Sequence, residues 1–341
     1  MKERPLLVVL TPVLNEAWIL PAFLKATSLW ADYIIIADQM STDGSREVYD
    51  DFASQEPRVK CQEHQCKLIV VDNPRKEMHQ AATRRLLFEE AKKIEGDKIL
   101  FALDADEFLS GNFLETDSWK IILNSEPGDL FCFRWMTLSS DGKTYTPWDP
   151  YCWAAHMSDE VMNGIFPDNF IHEWRLPWPK HVTHEYILED ISFIHFRNVN
   201  VARQRNKSRY YQVLQYSHLS NKRGGVQFHR QYNLEEKAAF YPMPSDAFAF
   251  YKGEGLDIWA ELNFKDEGQH YTQVVLNKIK EVGAKSLRKL DIWDEEFLQK
   301  NNIKDPRRPV DKLIHWYLRS TAKWSKTFVI HALDYILKRI Y

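Results

Sequence analysis

The 341-residue sequence has no apolar stretch as long as the roughly 18 residues that a membrane-spanning helix needs. Its short apolar run at residues 6–10 is followed by no small-residue cleavage site and is soon interrupted by Asn15 and Glu16. The run therefore predicts a buried strand rather than a spanning helix or a signal peptide.

Cysteine is scarce, with only Cys61, Cys66, Cys132 and Cys152. Four cysteines without a dense framework favour a reducing compartment, and we expect a cytoplasmic location. Cys61 and Cys66 flank His64, but no second ligand pair follows at a zinc-like spacing, so a zinc site there is disfavoured.

Phosphate-binding glycine motifs are missing as well. The sequence contains no Gly-x-Gly-x-x-Gly fingerprint and no complete P-loop, which removes support for Rossmann dehydrogenases and P-loop enzymes. The net charge of −3 gives no broad attraction to nucleic acid.

The first hundred residues show strand and helix patterns in alternation. Apolar runs predict strands at 6–10, 33–37, 68–71 and 99–103, and helical spacing predicts helices at 17–29 and 76–93. This order predicts an α/β domain with a Rossmann-like, mostly parallel sheet.

The later chain is less regular. Residues 130–138 and 191–196 predict further strands, and residues 144–179, rich in proline, tryptophan and polar side chains, predict loops around a site.

Polar residues follow the predicted strands where each one ends. Thr11 and Asn15 follow the first strand, Asp38 the second, and Asp104 and Asp106 the fourth. Parallel sheets bind ligands beyond the carboxyl ends of their strands, so we expect these side chains to share one site.

The Asp104-Ala105-Asp106 segment predicts a metal site. Two carboxylates at a strand end are costly to bury unless a cation neutralises them. Their oxygens suit Mg²⁺ or Mn²⁺, and such an ion would help a pyrophosphate to leave.

Three segments resemble glycosyltransferase family 2, whose fold is GT-A. They match in order and spacing and are Leu10-Thr11-Pro12-Val13-Leu14-Asn15-Glu16, Asp38-Gln39-Met40-Ser41-Thr42-Asp43-Gly44-Ser45 and Leu103-Asp104-Ala105-Asp106-Glu107. The second segment departs from the usual Asp-Asp-Gly-Ser pattern by carrying Gln39 and Met40, which leaves the identity of the nucleotide open.

The resemblance implies a nucleotide pocket. Thr11 and Pro12 would line the nucleobase, and Glu16 would lie near the nucleoside. Asp38 would accept a hydrogen bond from uracil or guanine. Arg84 matches a position near the nucleotide, with a surface helix arginine as the alternative.

The resemblance also implies the metal ligands. Asp104 would meet the ribose or the metal, and Asp106 would be the principal ligand. His195 resembles the late histidine that completes such a site, although a lone histidine at a strand end is more often structural.

An inverting glycosyltransferase needs a general base to deprotonate the acceptor hydroxyl. The His184-Glu185 pair resembles a pair in relatives and favours Glu185, with Glu173 next and Asp159 and Glu160 as further candidates. Three tryptophans, each with core packing as the alternative, are candidates to stack on sugar faces: Trp153, Trp174 and Trp178.

The C-terminal segment, residues 304–341, is basic and amphipathic. It has nine Lys/Arg against three Asp/Glu, and its apolar and aromatic residues recur at helical spacing. Such a helix can lie on an anionic membrane as a peripheral contact, or it can pack its apolar face on the catalytic domain.

We therefore expect a GT-A domain over residues 1–215 and a helical extension over 216–341. The expected reaction moves a sugar, with inversion, from a UDP- or GDP-sugar to a glycan or lipid-linked acceptor in polysaccharide or lipopolysaccharide synthesis, with Mn²⁺ or Mg²⁺ and without nucleic acid. The rivals are a phosphohydrolase that uses Asp104 as nucleophile and a non-catalytic module that binds nucleotide sugars.

Overall fold

The computed structural model describes residues 4–54, 66–75, 79–158, 175–177, 179, 181–218, 224–232, 240–325 and 327–341. The chain forms two compact units. The first comprises Met1–Val199 and Tyr241–Lys265, and the second comprises Asn200–Phe240 and Asp266–Tyr341. The boundary predicted near residue 215 lies inside a helix of the second unit, Val201–His218.

The first unit contains a sheet with helices on both faces. Its strands are β1 Leu6–Val13, β2 Tyr33–Asp38, β3 Lys67–Asp72, β4 Lys98–Ala102, β5 Glu107–Leu109, β6 Leu130–Leu138, β7 Thr144–Met157, β8 Glu185–His195 and β9 Tyr241–Pro242. Its helices are α1 Leu20–Ser28, α2 Ser45–Ser54, α3 Gln80–Ala91 and α4 Asp117–Leu123, with a later short helix Ala249–Gly253 and 3₁₀ turns at Phe113–Glu115 and Ile258–Glu261.

The strands join one sheet in the order β3-β2-β1-β4-β7-β6-β8-β5, with β9 beside β7. β1 pairs in parallel with both β2 and β4, and β2 pairs in parallel with β3, which confirms the predicted α/β core. Beyond β4 the sheet is mixed, because β7 runs antiparallel to both β4 and β6.

Apolar side chains alternate between the two faces of this sheet, and both faces are buried. Val9 of β1 and Phe101 of β4 are buried in the core with Phe23 of α1. Their neighbours Val8 and Leu100 are buried on the other face with residues of α3. Successive side chains point to opposite faces, so strands buried on both sides read as continuous apolar runs.

The prediction of loops over residues 144–179 is wrong for β7. This strand pairs with β6 along most of its length and carries Pro147 and Pro150. Between Thr146 and Trp153, β6 is the one partner among the described strands, because β9 and β4 pair only with the two ends of β7. Proline is tolerated where a strand makes no second ladder, and β7 makes none with the described strands over this stretch, which explains why Pro147 and Pro150 did not end it.

The cysteines also differ from expectation. Cys132 of β6 and Cys152 of β7 face each other across the ladder and form a disulfide. Cys66 is a free thiol, and burial raises its pKa to about 12. Cys61 and His64 lie outside the described residues.

The second unit is helical throughout its described residues. Its helices, numbered here in chain order with Ala249–Gly253 as α7, are α5 Val201–His218, α6 Gly225–Tyr232, α8 Gln269–Val282, α9 Glu295–Lys300, α10 Pro309–Ser320 and α11 Phe328–Ile340, with 3₁₀ turns at Ala284–Leu287 and Ala322–Trp324. None of the helices in the described part of the chain is long and apolar enough to cross a bilayer.

A buried polar network lies inside the second unit. His229 of α6 and His315 of α10 have ring centroids 4.2 Å apart, and Asp291 Oδ2 lies 3.3 Å from His229 Nδ1. His315 Nε2 lies 2.9 Å from the hydroxyl of Tyr341. Burial, assisted by the neighbouring His229, lowers the pKa of His315 to about 3.

We expect acid to destabilise the second unit through His315. Its folded pKa lies below the ordinary 6.5, so the unfolded chain takes up a proton first as the pH falls. Between 6.5 and about 3 this group should lower the free energy of unfolding by about 1.4 kcal/mol per pH unit.

Urea unfolding followed by far-UV circular dichroism over this pH range measures the slope. His315→Gln should reduce the slope, and His331→Gln on the exposed side of α11 should leave it unchanged. Equal slopes in the wild type and His315→Gln would contradict the assignment.

Candidate functional site

The loops that follow β1 and β2 are tied together at the carboxyl end of the sheet. Asn15 N–H donates to Ser41 Oγ at 2.9 Å, and Thr42 N–H donates to Asn15 Oδ1 at 2.6 Å. Asn15 has φ +56°, a left-handed conformation that asparagine tolerates better than most residues. Glu16 N–H donates to Ser45 Oγ at 3.1 Å, so both loops hold one geometry.

Thr11 and Pro12 lie at the end of β1. The Leu10 carbonyl points towards β4 and accepts from Leu103 N–H. The backbone nitrogen of Pro12, two residues later, is on the same side of β1 but lies beyond the last β1–β4 residue pair. The N–H that proline lacks is therefore not needed there. Thr11 is fully buried, and its hydroxyl has no hydrogen-bond partner among the described residues.

The carboxylates of Asp38 and Glu16 accept hydrogen bonds from residues nearby in the sequence. The fully buried Asp38 carboxylate accepts from Ser41 N–H at 2.8 Å, Arg46 at 3.1 Å and the Tyr49 hydroxyl at 2.9 Å. Glu16 Oε2 accepts from Trp18 Nε1 at 2.7 Å. The nucleotide roles of Asp38 and Glu16 stay predictions.

Asp104 lies between two arginines. Arg84 of α3 donates to Asp104 Oδ1 at 2.6 Å, and Arg175 donates to Asp104 Oδ2 at 2.9 Å. Arg175 also donates to both carboxylate oxygens of Glu107, at 2.5 and 2.9 Å. Arg84 is thus a buried partner of Asp104 rather than a surface residue.

Burial and charge act in opposite directions on this cluster. Burial lowers the pKa of Arg84, with Asp104 opposing that shift. Burial also lowers the pKa of Arg175, but the carboxylates of Asp104 and Glu107 outweigh it and the net direction is upward. Burial raises the pKa of Glu107 against the pull of Arg175. The ion pairs therefore hold the buried Arg84 and Glu107 and the largely buried Arg175 together with the partly exposed Asp104.

Asp106 and His195 form a second pair beside this cluster. β5 pairs antiparallel with β8 so that Glu107 lies opposite His195, and Phe196 N–H donates to the Asp106 carbonyl at 2.9 Å. Asp106 Oδ2 lies 3.3 Å from His195 Nε2, and both side chains are buried.

An aromatic wall, Trp135 and Trp153, lies against these groups. The His195 ring stacks on Trp135 with centroids 4.4 Å apart, and the Arg175 guanidinium lies 3.9 Å from the centre of the Trp153 ring. Among the described residues, His195 Nδ1 and the indole nitrogens of both tryptophans have no hydrogen-bond partner. Buried polar atoms without partners are uncommon and are expected where a ligand or water binds.

The Asp106–His195 pair fits a divalent cation. With bonds of about 2.1 Å, neighbouring ligands of an octahedral ion lie about 3 Å apart, close to the observed separation. A carboxylate with an imidazole suits Mn²⁺ better than Ca²⁺. Asp104, Asp106 and His195 do not belong to any set of three ligand atoms within 4.8 Å of one another in the described residues. Both Asp104 oxygens accept from arginines.

Glu185 is not brought to this site. It begins β8 opposite Leu130 of β6, whereas His195 ends β8 opposite Thr137, and this separation along β6 corresponds to about 23 Å. Its Oε1 instead lies 3.4 Å from Cys132 Sγ. A base that far from Asp106 cannot serve a reaction there, so the prediction of Glu185 needs correction. The other predicted bases and stacking residues that lie outside the described residues are Asp159, Glu160, Glu173, Trp174 and Trp178.

The prediction missed Arg175, and it gave no role to Glu107, which follows the Asp-x-Asp segment. Arg175 reaches Asp104 from 71 residues further along the chain, and no spacing in the sequence signals such a contact. Glu107 was recognisable from its position, because an acid directly after Asp106 at a buried strand needs a cation.

No protein-family model matches the chain, and no curated protein is detectably similar to it in sequence. Solved structures with a similar backbone include S. aureus TarS residues 1–349 (TM-score 0.40, 11% identity, 96% of this chain and 91% of that one). They also include the mannosyltransferase PcManGT from Pyrobaculum calidifontis with GDP-Man and Mn²⁺ (TM-score 0.39, 12% identity, 99% and 87% covered).

A third similar structure is GalNAc-T7 with UDP, GalNAc and Mn²⁺ (TM-score 0.38, 12% identity, 83% and 58% covered). The structures similar to this chain thus include glycosyltransferases crystallised with nucleotides and Mn²⁺. At these identities and TM-scores, the similarity extends to the backbone alone.

We expect Glu107→Gln to destabilise the first unit by about 3 kcal/mol, because it leaves a buried guanidinium short of one negative charge. Urea unfolding at neutral pH measures the change. Glu115→Gln, an exposed glutamate just after β5, is the matched control and should change stability by less than about 0.5 kcal/mol. Similar values for the two variants would show that the ion pair with Arg175 contributes little.

Proposed function

We propose that the first unit is a metal-dependent glycosyltransferase that moves a sugar from a UDP- or GDP-sugar to an acceptor hydroxyl, with inversion. The observation that carries the proposal is the joint placement of Arg84, Asp104, Asp106 and His195 at the carboxyl ends of the strands. Parallel sheets bind nucleotides at this edge.

The charges of the site suit a nucleoside diphosphate. Asp106 and His195 would hold the divalent ion, with Asp104 beside them, and the bound ion would offset charge on the departing diphosphate. Arg84 and Arg175 supply two guanidinium groups, which bind phosphate oxygens through paired N–H donors. In the structure these N–H groups are bound to the carboxylates of Asp104 and Glu107. Binding of a nucleotide sugar would therefore replace carboxylate partners of the two arginines with phosphate oxygens.

Trp153 has a different role in this proposal from the predicted stacking on sugar. Its ring is covered by the Arg175 guanidinium at 3.9 Å from the centroid. A cation held over an indole face is positioned by the ring quadrupole. We propose that Trp153 orients Arg175 towards the diphosphate.

The phosphohydrolase rival loses support from the environment of Asp104. A nucleophilic aspartate needs an oxygen free to attack phosphorus, whereas both Asp104 oxygens accept from arginines. The other alternative, a non-catalytic module that binds nucleotide sugars, would bind the same ligand but would not transfer the sugar.

We propose Glu173 as the base in place of Glu185. Glu173 was the next candidate, and it precedes Arg175 of the charged cluster by two residues in the chain.

The acceptor class and the cytoplasmic location are likewise proposals, and they come from the family resemblance and the sequence. The proposed acceptor is a glycan or lipid-linked hydroxyl in cell-surface polymer synthesis.

Nucleotide binding should depend on both metal and Asp106. With UDP or GDP at a hundredfold excess over its Kd and Mn²⁺ present, the wild type should gain about 3 kcal/mol of stability. Asp106→Asn should lose the metal-dependent part, because it removes the charged ligand. A thermal-shift screen with and without Mn²⁺ measures both effects.

Asp117→Asn is the matched control, since Asp117 is highly exposed on α4. This variant should retain the full shift. If neither nucleotide stabilises the wild type, or if Asp106→Asn responds to Mn²⁺ as the wild type does, the proposed function fails.

Turnover should separate the two candidate bases. General-base catalysis contributes roughly 10²–10⁴-fold, so Glu173→Gln should lower kcat by at least about a hundredfold while nucleotide binding persists. Glu185→Gln, which changes the same group at the far end of β8, should leave kcat within about twofold. Release of nucleoside diphosphate from the donor with acceptor present is the measurement, and the reverse ranking would restore Glu185.

A further inference from the structure

Helix α11 presents apolar side chains to water. Its inward side carries Leu337, which packs with Tyr341 against α6 and α10. Its other side exposes Phe328 by 86%, Ile336 by 57% and Ile340 by 73%. A helix that packs on one stripe normally carries mainly polar residues opposite, whereas α11 exposes these large apolar side chains alongside His331, Lys338 and Arg339.

Aromatic and aliphatic side chains before α11 are exposed as well. Leu313 and Trp316 of α10 are 62% and 65% exposed, and Trp324 is 58% exposed. A single exposed apolar residue is ordinary, but a concentration of large ones marks a contact surface. The sequence left open whether this segment packs on the chain or contacts a membrane, and the exposures favour an external partner. We call these six residues, Leu313, Trp316, Trp324, Phe328, Ile336 and Ile340, the C-terminal apolar surface.

The charges of the segment decide which partner fits. Asp334, the one acid of α11, is buried and accepts from Arg230 at 2.7 and 2.9 Å. Asp311 is fully buried and accepts from Arg308, and Asp305 accepts from Arg307.

All three acids of residues 304–341 are therefore already paired within the protein. Lys323, Lys338 and Arg339 are exposed beside the apolar residues. The surface thus combines apolar bulk with positive charge.

We propose that the C-terminal apolar surface docks on a lipid bilayer that contains anionic headgroups. Tryptophan and tyrosine are favoured at the boundary between headgroups and acyl chains, and lysine and arginine are attracted to anionic lipids. A second copy of the chain would bring the same positive charges together, so it fits less well. This docking does not depend on the glycosyltransferase proposal.

Vesicle co-sedimentation tests the docking with the full chain. The wild type should bind vesicles of phosphatidylcholine mixed with phosphatidylglycerol and bind phosphatidylcholine alone at least about tenfold more weakly. The double variant Phe328→Ser/Ile336→Ser should bind at least about tenfold more weakly than the wild type, because it removes apolar area that would enter the interface. Both side chains are exposed, so folding should persist.

Two further variants sharpen the test. Ile187→Ser on β8 is the matched control, because Ile187 is 58% exposed and lies in the first unit, and it should bind as the wild type does. Lys338→Gln/Arg339→Gln should weaken binding to the anionic vesicles by about thirtyfold and reduce its salt dependence.

The proposal is overturned if the wild type does not sediment with anionic vesicles, or if the double apolar variant binds as well as the wild type. Light scattering tests the alternative of self-association. If the wild type does not bind vesicles but forms a dimer, and Phe328→Ser disrupts that dimer, the surface is a self-association surface instead. Nucleotide binding is measured separately and without vesicles. Failure to bind vesicles therefore leaves the proposed function standing, and failure to bind nucleotides leaves the proposed membrane docking standing.

Discussion

The ion pairs that join Arg84 and Arg175 to Asp104 and Glu107 are the interaction on which the site depends. Glu107 is almost fully buried and Arg84 nearly so, and neither charge could remain there alone. The pairs connect α3, the turn between β4 and β5, and the chain at residue 175. Through β5 they also fix the position of Asp106, whose neighbour Glu107 lies opposite His195.

Around this cluster the backbone gives the site its shape. The loops after β1 and β2 are held by side-chain hydrogen bonds through Asn15 and Ser41, and Arg46 joins Asp38 to Asp72 at the end of β3. The strand ends that a ligand would meet are therefore linked before any ligand arrives. Such preorganisation lowers the entropy that binding must overcome.

Local patterns in the sequence were enough to predict the parallel strands and the placement of polar residues at their ends. β7 was missed because proline normally excludes a strand, and only the arrangement of the described strands shows that β6 is its one strand partner among them between Thr146 and Trp153. Glu185 was misplaced because its distance from His195 depends on how far β8 extends. Arg175 could not be predicted, since its contacts with Asp104 and Glu107 join distant parts of the chain.

The pairing of Glu107 with His195 also bears on the order of folding. β1 to β4 come from the first third of the chain, and β8 is synthesised well after them. A chain is synthesised from its N-terminus, so we expect the parallel core to be available for folding before β8 can make this pairing. A nascent chain would then hold the loops after β1 and β2 in place before Asp106 has its histidine, and the proposed metal site would be completed last.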